Sequence, residues 1–121
     1  MATPLGVVSF EAGGKSHQMQ FTTNRLCLLE EKAGLTSLEV ATELALGKSQ
    51  PLGCSKKTLR ALFWAGVGDG SITLAQAGDL VDAIGHRRAI EIATDAFDAA
   101  HPDLADDDGK AGDRPLDAVA G

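Results

Sequence analysis

The chain of 121 residues has no tyrosine, a single tryptophan (Trp64) and only four phenylalanines. Alanine, leucine and valine must therefore fill most of the core, which favours helices. No apolar run approaches the ~18 residues needed to cross a membrane. The N-terminus lacks a basic-then-apolar signal segment, so nothing points to secretion. Cys27 and Cys54 stand alone, without C-x-x-C spacing. They read as two reduced, buried thiols of a cytosolic protein, not as a disulfide or a zinc site. Positive charge is scarce: 11 Lys and Arg against 17 Asp and Glu leave a net charge of −6. Such a chain repels phosphate backbones, so nucleic acid is not an expected partner. His17, His86 and His101 have no His or Cys at i+3 or i+4, so no metal cluster is visible. No serine or cysteine lies in a recognised nucleophile motif. The expectation is a protein without cofactor, metal or catalytic residue, and not an enzyme.

What is present reads as one α+β, mostly α, domain over residues 1–102: an N-terminal β-hairpin (6–21) packed on about five short helices (23–101). In the hairpin, Gly13-Gly14 supplies the two positive-φ positions of a type I′ turn. That turn sets Phe10 opposite His17 and Val8 opposite Met19. These residues and Phe21 share an apolar face, and Ser16, Gln18 and Gln20 the wet one. From Thr22 the period becomes helical. Leu26, Leu29 and Ala33 form the first stripe, with Gly34 as stop. Thr36 and Glu39 form a capping box for a second helix, with Leu38, Ala41, Leu44 and Ala45 on one face and Gly47 at its end. Ser55 caps a third helix carrying Leu59, Leu62, Phe63 and Gly66. Thr73 and Gln76 are a second capping box, starting a helix with Leu74, Ala77, Leu80, Val81 and Ile84 that Gly85 ends. A fifth runs from about His86 to Ala100, with Ala89, Ala93, Ala96, Phe97 and Ala100 inward, and Pro102 closes it. Residues 103–121 carry six aspartates, few large apolar residues, and only Lys110 and Arg114 as cations. They read as a disordered acidic tail.

Three stretches imitate ligand loops and fail on chemistry. Gly66, Gly68 and Gly70, with Asp69, follow a helix where a dinucleotide fingerprint needs a strand, and their spacing is wrong. Gly66 and Gly68 read as helix-ending residues, and Asp69-Gly70 as a turn. Gly47-Lys48-Ser49 would need a P-loop glycine at position 42, which is Thr42. A calcium loop closing on "DDDG" would start at Leu104 and end at Pro115, neither of them a ligand. Arg60 and Trp64 lie one turn apart on a shared face. Either Arg60 lies over the ring of a Trp at the core edge, or the two anchor a partner. His86-Arg87-Arg88 is a small basic spot at a helix start, readable as a solvated cluster or a carboxylate contact.

Several segments together resemble a known family. The hairpin is followed by Asn24, Leu26, Cys27 and Glu30, then by Arg60, Leu62, Trp64, Ala65 and Gly66, then by Ala77-Gly78 and Gly85. This order resembles the phage tail assembly chaperones of gene-transfer-agent type over roughly residues 6–102. Val67 stands where such proteins usually carry Leu, and His101 where an aromatic is common. The resemblance implies a non-enzymatic, cytoplasmic role in tail assembly, with tape measure or tail tube protein as partner and self-association as a further option. It equally admits a structural, particle-associated tail tube component. On this reading Arg60 and Trp64 contact the partner, and the other matched residues are mainly structural.

Overall fold

The computed structural model describes residues 7–68 and 71–101. They form a hairpin, β1 (Val8–Ala12) and β2 (Lys15–Met19), and five helices. The helices are α1 (Thr23–Ala33), α2 (Ser37–Ser49), α3 (Lys56–Gly68), α4 (Leu74–Ile84) and α5 (His86–Ala99). A 3-10 turn, Pro51–Gly53, links α2 to α3. The expected acidic tail and the Pro102 stop lie outside the described residues, as do Asp69 and Gly70.

The hairpin has the register that its turn dictates. Phe10 pairs with His17 and Val8 with Met19. Gly13 and Gly14 sit at φ +61° and +79°, a conformation that side chains resist. Phe10, Met19 and Phe21 turn inward, and Ser16 and Gln18 face water. A two-stranded hairpin cannot stand alone in water, so this one is seated on α3. Phe10 meets the edge of Phe63 at 5.7 Å between centroids, and Phe21 meets Phe97 at 6.2 Å. The polar link is at Gly66. Its carbonyl accepts from the Gln20 amide at 3.1 Å and from Arg25 Nη1 at 3.0 Å. Arg25 Nη1 also donates to the Gln20 carbonyl at 2.9 Å. One guanidinium thus ties the start of α1 to the hairpin exit and to α3.

Gly66 does not stop a helix. It lies inside α3, which continues to Gly68. A Cβ there would come 2.7 Å from Met19 Cγ and 2.9 Å from Phe21 Cζ. The missing side chain is what lets β2 approach the helix. Gly47 is likewise interior to α2, which runs on to Ser49. A Cβ there would sit 2.8 Å from Cys54 Cβ and 3.3 Å from Ile90 Cδ1. Both glycines were expected to break helices, and both mark close helix contacts.

The caps form as expected. Thr36 with Glu39 and Thr73 with Gln76 make complete capping boxes. Ser55 Oγ accepts the Thr58 amide at 3.0 Å. Gly34 ends α1 at φ +72°, and Gly85 lies between α4 and α5 at φ +99°. α3 is the centre of the core: Leu59, Ala61, Leu62, Phe63 and Ala65 are all buried. α5 buries Ala89, Ala93, Ala96 and Phe97 as expected, and also Ile90 and Ile92, which were not among the expected inward residues. Ala100 is only half-buried.

Candidate functional site

Arg60 and Trp64 lie one turn apart on α3, but the cation over the indole is another one. Lys32, from the last turn of α1, places Nζ 5.1 Å from the ring centroid. Trp64 is half-buried against the core edge. Arg60 is exposed and lies along α4, where a Cβ on Gly78 would meet its Cδ at 3.5 Å. It borders a cleft of about 450 Å³ between the start of α3 and the α4–α5 joint.

The other matched residues mostly build joints. Glu30 Oε2 accepts the Ser37 amide at 3.0 Å and its hydroxyl at 2.8 Å, which holds α2 to α1. Leu62 is buried, Leu26 half-buried and Asn24 exposed. Cys27 is exposed, contrary to the expectation of two buried thiols, because it falls on the outer side of α1. Cys54 is buried. Desolvation, with a smaller push from the charge of Glu43, raises its thiol from 9.0 to about 11, which leaves it unreactive. His86 donates from Nε2 to the Pro51 carbonyl at 2.8 Å, since a carbonyl only accepts. Arg88 pairs with Glu91 at 3.0 Å along α5. His101 bonds the Phe97 carbonyl at 2.8 Å and leans on its ring. His17 stacks on Phe10 at 5.4 Å between ring centroids, so the three histidines have three separate partners. Among the described residues no group of three or more His, Cys, Asp or Glu is placed to hold a metal. No helix among the described residues is long and apolar enough to cross a membrane.

The most distinctive surface was not among the expected sites. α2 turns Val40, Leu44 and Gly47 inward. Leu38 and Ala45, expected inward, face solvent. At 100° per residue, Leu38, Thr42, Ala45, Leu46 and Ser49 share one sector of about 100°. All five are exposed and none is charged. Leu38 is 76% exposed and Leu46 45%, and Leu52 on the adjoining turn is 78% exposed. Leu46 lies against Gly53, the neighbour of Leu52, which joins the turn to the helix face. Glu39 and Lys48 stand at the flanks. A helix with an apolar inner stripe and an uncharged outer one has two faces suited to burial, and the fold uses one.

No family model, curated protein or solved structure matches the chain.

Proposed function

We propose that this protein is a non-enzymatic assembly chaperone of a phage-like tail, of gene-transfer-agent type, and that it holds tape measure or tail tube protein before the tail polymerises. The outer face of α2 is the observation that carries the reading. Three exposed leucines on an uncharged surface suit a protein client, and an amphipathic helix is the natural occupant of such a face. The resemblance in the order of Asn24, Glu30, Arg60, Trp64, Gly78 and Gly85 supplies the identity of the client. The net charge of −6 argues against nucleic acid as the partner. In this role the protein works in the host cytoplasm.

The test pairs client capture with particle inventory. The full chain, co-expressed with the tape measure protein and separately with the tube protein, is expected to co-purify with one of them. It is expected to be absent from finished particles. Leu38→Glu with Leu52→Glu should abolish capture while the fold persists, because exposed positions tolerate substitution within about 0.5 kcal/mol. Stoichiometric presence in mature particles would instead identify a tail tube component. Undiminished capture by the double variant would remove α2 as the docking face.

A further inference from the structure

The cleft beside Arg60 has the opposite chemistry to the rest of the protein. Lys56 and Lys57 open α3, and Arg60 follows one turn later. All three are exposed and border the cleft with Gly78, Asp82 and His86. Among the described residues no ion pair engages Lys56, Lys57 or Arg60. Asp82 is the one carboxylate in the lining among the described residues. Gly78 gives the Arg60 stem room to lie on α4, which holds the guanidinium at the rim. Gly85, just before α5, offers no side chain to cap that helix, so its first amides add partial positive charge from the same side. Three cations with no acidic partner among the described residues thus line one cleft of a chain with net charge −6.

We propose that this cleft docks the acidic segment of the chain itself, residues 103–121. Charge complementarity is the first reason. The segment holds Asp103, Asp106, Asp107, Asp108, Asp113 and Asp117 against only Lys110 and Arg114. Reach is the second. The cleft lies at the start of α5 and the chain leaves at its end, 14 residues on, a rise of about 21 Å. Asp108 lies seven residues past His101, and seven extended residues span about 23–25 Å, enough to reach, whereas the five residues to Asp106 span only about 17–18 Å. Asp113 and Asp117 reach with slack. The tether holds the carboxylates near the cleft at millimolar effective concentration, so individually weak pairs suffice. The contact is electrostatic and opens in salt. The proposal rests on the cleft and the aspartates alone, independently of the proposed client, which is assigned to α2.

Amide spectra of the labelled full chain test it. Changing the six aspartates to asparagine should shift the amides of Lys57, Gly78, Gly85 and His86 at low salt. The difference should vanish near ~0.5 M salt, where the Debye length falls to about 4 Å. A peptide of residues 103–121, added to the neutralised chain, should move the same amides back toward their original positions. Arg60→Gln, at an exposed site, should weaken that peptide by a few-fold, and Lys56→Glu with Lys57→Glu and Arg60→Glu by about tenfold or more. Coincident cleft amides in the two chains at low salt would overturn the proposal. So would a peptide response centred on another face, or a response to inorganic phosphate with none to the peptide.

Discussion

Gly66→Ala is the sharpest test of how the hairpin is held. In an unconstrained helix interior, alanine in place of glycine gains about 1 kcal/mol. Here the new Cβ would lie 2.7 Å from Met19 Cγ, 2.9 Å from Phe21 Cζ and 3.0 Å from Phe21 Cε1. Met19 is fully buried and Phe21 is 4% exposed. Met19 has rotamers to spare, but the Phe21 ring is backed by Phe97. Any retreat also stretches the bonds that Gln20 and Arg25 make to the Gly66 carbonyl. Overpacking of this kind costs about 1–3 kcal/mol, and the crowded ring puts it in the upper half of that range. The net expectation is a loss of about 1–2 kcal/mol. For a domain of this size that is a fall in Tm of about 5–15 °C by calorimetry or circular dichroism. Gly78→Ala is the internal control. Its Cβ would meet only the Arg60 stem at 3.5 Å, an ordinary contact. It should therefore stabilise by about 0.5–1 kcal/mol. The two substitutions are identical in chemistry and both helical, yet opposite in expected sign. A rise in Tm for Gly66→Ala would refute the close approach of hairpin and helix.

Trp64→Ala removes a half-buried indole and the seat of Lys32, so it should cost about 2–3 kcal/mol, less than a fully buried aromatic; Lys32→Ala should cost under about 1 kcal/mol. Thr36→Ala and Thr73→Ala each delete one capping box and should each cost about 1 kcal/mol in denaturant melts. Cys27 should react readily with a thiol reagent in the native protein while Cys54 stays protected, and equal labelling would contradict the burial of Cys54. Because the native Cys54 thiol is raised from 9.0 to about 11, the folded state holds its proton where the unfolded chain releases it. That contribution is intact below pH 9 and is lost as pH rises toward 11, by about 2–3 kcal/mol in all. Cys54→Ala should flatten that part of the pH–stability curve.

Features set by short-range chemistry were legible in the sequence. The Gly-Gly pair determines the hairpin register because two adjacent positive-φ residues permit one turn geometry. Capping boxes are local, and the three expected hydroxyl caps, Thr36, Ser55 and Thr73, stand where the spacing puts them, while Thr22 caps α1 as a fourth that was not expected. Features set by a distant partner were not legible. α2 has apolar residues around most of its circumference, so Leu38-Ala41-Leu44-Ala45 and Val40-Leu44-Gly47 both have helical spacing. The second faces inward because Gly47 admits Cys54 and Ile90, and neither neighbour is local to α2. Gly66 was ambiguous for the same reason: glycine ends helices and also permits close packing, and only Met19 and Phe21 decide between them. Arg60 was the obvious cation for Trp64 at i−4, but α1 packs on α3 and brings Lys32 there first.

These outcomes bear on which surface should take a client. Trp64 already has part of its surface covered by the core edge and the Lys32 ammonium over its ring, so a partner would gain only the remainder, and removing the indole weakens the fold as well. Leu38 and Leu52 are more than three-quarters exposed. About three-quarters of their area is left for a partner to bury, at ~25 cal/mol per Å². Their neighbours Thr42, Ala45 and Ser49 are uncharged, so covering them strands no ion. α2 itself is held by the opposite stripe and by the Thr36 cap, so its outer face can change without loss of the helix. A surface that binds without supporting the fold separates the two properties under mutation. Leu38→Glu should leave the melt unchanged and reduce capture, whereas Trp64→Ala should lower the melt and spare capture by the fraction still folded. The reverse pattern would return the docking site to α3.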